Sequence, residues 1–311
     1  MLFLAAFRRE ANILRRLPAA KTRHFKFDGH RLVYDEYGGG DRVVLLLPGL
    51  LFSRRMHRPL AEELAGRGYR VLCLDLLGHG DSDRPADMWN YSMTIFGRQA
   101  IALLDRLEID RAVIGGTSLG ANAALEAAAA SPERVKGLVI EMPVLDNALL
   151  SSALTFTPML VGLTFGAPIA RLVGSGARLV PRGLWHFGDM VLDWLSQDPK
   201  PSASVLQGLF FGRVAPPTKE RRQMKHRTLV IGHYRDPIHP FSDSDMLVRE
   251  LPNARLVQAS SILELRLTPE RLTNEIVVFV EGCFRSAKRS ETTPRRAPAR
   301  GRRGTSERRP S

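Results

Sequence analysis

Gly116, Ser118 and Gly120 fit the spacing G-x-S-x-G in the run GGTSLG (115–120), between the apolar stretch RAVIGG (111–116) and an alanine-rich stretch (119–130). Where a strand turns this tightly into a helix, a serine hydroxyl is pushed out over the end of a sheet. The flanking positions must lack bulk for strand and helix to approach so closely. The start of the helix also aims backbone N–H groups at negative charge that develops beside the hydroxyl. Such a serine is suited to nucleophilic attack on an acyl group, but it is a poor nucleophile until a base takes its proton. The bases on offer are His24, His30, His57, His79, His186, His226, His233 and His239, and no histidine follows His239.

The elements that must position this serine are legible as an alternation. RVVLLLPG (42–49) is a continuous apolar run closed by Pro-Gly, the pattern of a strand buried on both faces. A helical pattern follows over about 57–67, then a strand at 70–75, a helix over 92–107 and the strand 111–116. The run 119–130 has the strongest helix propensity in the chain, and Ser131-Pro132 stops it. Strands at 135–142, 227–233 and 254–260, with helices near 244–251 and 269–284, complete the series. This order implies an α/β fold: a mostly parallel central sheet with helices on both faces. HFKF and HRLVYDEYG, split by Asp28-Gly29, read as an edge hairpin. Residues 146–220 interrupt the alternation with helical or loop-like sequence rich in Pro and Gly.

With these motifs in place, residues 24–284 resemble the α/β-hydrolase fold superfamily. LLLPGL (45–50) resembles its strand ending in His-Gly, with Pro48 in place of the histidine; DLLGHGDSDRP (75–85) resembles its Asp-x-x-Gly-x-Gly-x-Ser turn. GGTSLG matches its nucleophile turn, and VIGHYRDPIHP (230–240) resembles the strand and turn that present its acid. The resemblance implies Ser118 as nucleophile, Asp236 as acid, and the backbone N–H groups of Leu50 and Leu119 as oxyanion donors. It also implies that 146–220 is a helical cap over the cleft.

One position departs from the family. Its histidine follows the last strand, shortly before a helix start; aligning Pro269-Glu270 on that start puts Ile262 where the histidine belongs. Three readings compete. A histidine from elsewhere reaches Ser118, His239 leading because it lies three residues past Asp236 on the same loop. Alternatively, Glu264 acts as a carboxylate base, weak unless burial raises its pKa. Or the site binds without turnover, as in the plant gibberellin receptors, α/β-hydrolase-fold proteins whose histidine is an aliphatic residue.

The cap residues Phe156, Met159, Leu163, Phe165, Trp185, Trp194, Phe210 and Phe211 are expected to line the cleft or pack cap against core. They suit a small hydrophobic ester or acyl compound. The uncharged run 147–170 is long enough to cross a bilayer, but Pro158, Gly162, Gly166 and Pro168 break it, favouring a buried or cleft-facing helix.

The formal net charge of +13 sits at the ends: residues 1–26 carry +6, residues 285–311 carry +8, and the rest −1. The division expected is therefore a basic, amphipathic extension (1–23), the α/β domain (24–284) and a disordered basic tail (285–311). Those basic termini are where weak contact with a membrane surface would form; no specific nucleic-acid partner is expected. Charges follow the apolar start instead of preceding it, unlike a secretory signal. Cys73 and Cys283 give no disulfide framework, so a cytoplasmic protein is expected. No nucleotide loop, flavin motif or metal-ligand spacing is present, so neither cofactor nor metal is expected.

Overall fold

The computed structural model describes residues 20–183 and 185–291, with side-chain surroundings through Arg285. The expectations for residues 1–19 and 292–311 lie outside the described residues. Eight strands form one sheet: β1 (Lys21–Phe27), β2 (His30–Gly38), β3 (Val43–Leu47), β4 (Arg70–Leu74), β5 (Ala112–Thr117), β6 (Val135–Glu141), β7 (Thr228–His233) and β8 (Ala254–Ala259). The helices flanking the sheet are α1 (Arg58–Gly66), α2 (Met93–Arg106), α3 (Leu119–Ala130) and, between β6 and β7, α4 (Leu149–Phe165), α5 (Ala167–Leu179), α6 (His186–Leu195), α7 (Pro199–Phe211) and the single turn α8 (Thr218–Arg221). Then follow α9 (Phe241–Glu250), the short α10 (Glu264–Leu267) and α11 (Glu270–Glu291).

The sheet order is β1-β2-β4-β3-β5-β6-β7-β8. The pairs β1–β2 and β2–β4 are antiparallel; every later pair is parallel. Asp28 and Gly29 both adopt positive φ (+46° and +83°), the geometry a two-residue hairpin turn demands, so the first two strands close on the edge as expected. Strands β3 and β5 are buried at every position, and alternate residues feed opposite cores. Leu45, Leu47 and Ile114 pack with α2, α3 and α9; Val44, Leu46 and Val113 pack with α1 and the Leu272, Ile276, Val280 stripe of α11. Burial on two faces explains the continuous apolar runs.

Three boundaries differ from expectation. The first strand begins at Lys21, so residues 21–23 belong to the sheet and not to an N-terminal extension. Helix α9 begins at Phe241, directly after Pro240, whose fixed φ suits a helix entry. And α11 runs on to Glu291, because Ser286, Ala287, Lys288 and Arg289 continue a helix readily; the basic tail therefore does not begin at 285 as an irregular segment.

Among the described residues no strand occurs between Glu141 and Thr228, and the four helices α4 to α7 stand over the carboxyl ends of the parallel strands. At those ends the turns after β3, β5 and β7 meet.

Candidate active site

Thr117 ends β5 and Leu119 begins α3, so Ser118 alone makes the turn, at φ +54° and ψ −114°. This is sparsely populated backbone for a residue with a Cβ, and holding it costs about 1–3 kcal/mol. The surroundings fix it: Ser118 N–H donates to Glu141 O (2.8 Å) and its carbonyl accepts from Asn122 N–H (3.0 Å). The two glycines are steric necessities. A Cβ on Gly116 would lie 2.3 Å from the Gly120 carbonyl carbon, and one on Gly120 would lie 2.2 Å from Leu47 O. No side chain fits either gap.

The hydroxyl thus presented is met by His239. Ser118 Oγ lies 2.8 Å from His239 Nε2, and His239 Nδ1 lies 2.8 Å from Asp236 Oδ2. The other carboxylate oxygen, Oδ1, accepts from the backbone N–H of Ile238 (2.8 Å) and of His239 (3.0 Å). Burial opposes ionisation of Asp236, but its hydrogen bonds to His239 and Ile238 win, and its carboxyl is held below the ordinary carboxylate range. A carboxylate on Nδ1 directs Nε2 to accept, which is what a base for Ser118 requires.

None of the other histidines shares this contact. His57, His79 and His233 are buried and bonded to the carbonyls of Leu47, Leu77 and Ser261; His186 contacts Met56 O, and His226 contacts Pro132 O at the surface. Ile262 lies in a turn, 39% exposed. Glu264 is not available as a base: the Arg271 guanidinium, with Ser260 adding to it, holds its carboxyl at about 2. What the segment after β8 does deliver is Arg266, bonded to both Thr117 Oγ1 (2.9 Å) and Glu141 Oε2 (2.8 Å), directly beneath the turn.

Leu50 and Leu119 both line one cavity with Ser118. Leu119 is the first residue of α3, so its N–H has no intrahelical acceptor. Among the described residues no acceptor is found for Leu50 N–H either. The loop bearing Leu50 is pinned by Arg54, 2% exposed, which reaches Asp35 (2.9 Å), Asp81 (2.8 Å) and the wholly buried Asp75. These acids come from β2 and the 75–85 turn, so the turn's resemblance to the family has a structural reason: it clamps the neighbouring loop.

The cavity holds about 280 Å³. Leu50, Met93, Leu119 and Val144 form its floor, and Phe156 and Phe210 of the cap enclose it. Of the other cap residues singled out in the sequence, Met159 and Trp194 pack against the core, while Phe165, Trp185 and Phe211 are exposed and neither line the cavity nor pack against the core, Trp185 lying instead against Phe187 (5.2 Å). Two residues that sequence reasoning passed over tie the cap to the site. Asp243 accepts from the N–H groups of Leu145 (2.6 Å), Asn147 (3.0 Å) and Ala148 (3.1 Å), where the chain enters α4. Ser151 Oγ donates to Ile238 O (3.0 Å), next to His239. An acid in the first turn of α9 was the sole signal for Asp243; nothing marked Ser151.

A family model for the alpha/beta hydrolase fold matches residues 42–261. Among characterised relatives, 2-hydroxymuconate semialdehyde hydrolase of Pseudomonas putida is 32% identical over 207 residues, covering 60% of this chain and 67% of that one. Among solved structures, the enol-lactonase from Burkholderia xenovorans LB400 superposes with a TM-score of 0.70 at 22% identity, covering 83% of this chain and all of that one (100%). A thermophilic esterase from Thermogutta terrifontis gives 0.67 at 21% identity, covering 86% and 99%.

Proposed function

Since the chain belongs to the α/β-hydrolase fold family, we propose that it is a serine hydrolase that cleaves a small hydrophobic ester or acyl compound through an acyl-enzyme on Ser118. The observation that carries this reading is the unbroken hydrogen-bonded series Ser118–His239–Asp236, two contacts of 2.8 Å ending on a hydroxyl that faces the cavity. His239 Nε2 takes the proton as Oγ attacks the acyl carbon, and Asp236 stabilises the imidazolium that forms. The N–H groups of Leu50 and Leu119 receive the developing oxyanion; one such donor is worth on the order of 3 kcal/mol. His239 then returns the proton to the leaving group, and water, activated by the same nitrogen, releases the acid. The apolar lining favours an acyl chain over a charged substrate, whose desolvation it would not repay. No step requires a cofactor.

Labelling with a fluorophosphonate probe tests this directly. The wild type should label, and Ser118→Ala and His239→Ala should not. Serine-dependent labelling that survives His239→Ala removes His239 from the mechanism. Absence of any labelling, with small hydrophobic ligands still raising the melting temperature, would instead favour a binding module.

A further inference from the structure

We propose that the outer face of the α4–α5 hairpin is a docking surface for an anionic lipid bilayer, on which the cap lies without crossing it. Leu154 (68% exposed), Val161 and Phe165 (82%) follow one another along the outer side of α4. Ile169, Leu172 (75%) and Leu179 (85%) continue the stripe on α5. An apolar area of this extent, on two consecutive helices, is not an ordinary soluble surface.

The occupant follows from charge and geometry. Between Asn147 and Gly188 the charged side chains are Arg171, Arg178 and Arg182; Arg182 is paired with Asp193 (3.2 Å), and among the described residues Arg171 and Arg178 have no carboxylate partner. Cations beside an apolar face, with the exposed Trp185 at its end, match headgroups over acyl chains. Residues 146–165 are long and apolar enough to span a bilayer. However, Leu149, Ser152 and Phe156, on the inner side of the same helix, line the cavity with Ser118, so lipid cannot surround it. Ala20 precedes Lys21, which is level with Leu72 and Leu45 midway along the parallel strands; β1 runs in the same direction as β4, so it is entered from the side of their amino ends, whereas Ser118 and the cap are at their carboxyl ends. Phe284 packs on Tyr69, just ahead of β4, at that same far end (5.7 Å). With α4 facing lipid on one side and the cavity on the other, a substrate dissolved in the bilayer would have a short path to Ser118; that last step rests on the function proposed above, whereas docking does not.

The test is co-sedimentation of the full chain with phosphatidylcholine–phosphatidylglycerol vesicles, beside Leu154→Gln/Phe165→Gln/Leu172→Gln, a variant neutral in charge and outside the cavity. The wild type should bind, and should remain bound at about 0.5 M salt, where the screening length is about 4 Å and attraction through the basic tails is suppressed. The variant should bind about tenfold or more weakly, given the apolar area removed, with melting temperature and turnover of a soluble ester unchanged. Ser118→Ala should bind as the wild type does, which separates failure of docking from failure of the catalytic reading. Quenching of tryptophan fluorescence by bromolipid, which Trp185→Phe should reduce, gives a second check that needs no triple variant. Equal binding of wild type and variant, loss of all binding at high salt, unaltered quenching, or a lipid-free dimer that the same substitutions dissolve would each overturn the proposal.

Discussion

Asp236 holds His239 from three residues away: one carboxylate oxygen meets Nδ1 at 2.8 Å while the other accepts the backbone N–H of His239 itself at 3.0 Å. Asp236 and His239 thus belong to one turn after β7, and the turn is closed by the same carboxylate that orients the ring. If the function proposed above holds, a histidine after β8 is unnecessary in this arrangement, and Ile262 is free to be aliphatic.

It follows that His239→Ala should lower kcat by about 10⁴–10⁶, as Ser118→Ala should, while Asp236→Asn should cost about 10⁴. Because Asp236 also closes the turn, its asparagine variant should lose some thermal stability, and His239→Ala should lose less. Steady-state kinetics on a chromogenic ester and melting curves check both. Ile262→His should leave turnover unchanged; a gain would mean that the base is incompletely supplied.

The backbone strain at Ser118 predicts an exchange of stability for function. Ser118→Gly removes the Cβ that makes φ +54° unfavourable. It should abolish activity yet raise the melting temperature by roughly 2–4 °C, the shift expected from about 1 kcal/mol. Ser118→Ala keeps the Cβ and should not show this gain. Calorimetry on the two variants decides it.

Acid should destabilise the fold before it reaches the carboxylates. Burial pushes the His57 and His79 imidazoles down to about 4; the Arg266 charge adds to this for His57, and the carbonyl bonds of Leu47 and Leu77 oppose it. Unfolded, each titrates near 6.5, a reference value. Above that pH both are neutral in either state and the preference is fully present. Between about 6.5 and 4 the unfolded chain binds the extra protons, so stability falls with pH by up to about 1.4 kcal/mol per unit for each histidine. Asp236, whose folded pKa is depressed, adds a further loss only as pH falls below the usual carboxylate range. Denaturant melts from pH 7 to 4 should show the slope, and His79→Gln should flatten it.

How far the sequence reading reached depended on how local the determinants were. The serine turn was legible because a strand, a helix and two glycines in immediate succession leave one conformation, and α3 spans the residues expected, Leu119–Ala130. The order of elements was legible because strands buried on both faces read as unbroken apolar runs. The proton acceptor was harder. Spacing put His239 near Asp236, but whether its ring turned toward Ser118 depended on a loop folded around Asp236 Oδ1 and held through Ile238 by Ser151 of the cap. The cap's exposure was not legible at all. Helix α4 has no charged side chain, so no charged stripe said which side faces water, and Phe165 reads the same whether it lines, packs or protrudes.

The segment after β8, where the family's histidine is replaced by Ile262, has a structural task that can be measured. Arg266 (7% side-chain exposure) pairs with Glu141 (3%), and Glu141 also takes the Thr117 hydroxyl, all directly under Ser118. Burial works against the Glu141 carboxylate, but Arg266 and His233 keep its pKa below the ordinary value. Arg266→Met leaves that carboxylate buried without its main partner and should cost about 3–5 kcal/mol. Removing the charge as well, in Arg266→Met/Glu141→Gln, should recover much of the loss, because an uncharged buried pair has less to desolvate. A double-mutant cycle by urea melts reads the coupling. Activity should follow stability in this cycle, not proton transfer. Were Arg266→Met to lower kcat at full stability and shift the pH profile, Arg266 would have to be assigned a role in orienting the reacting groups.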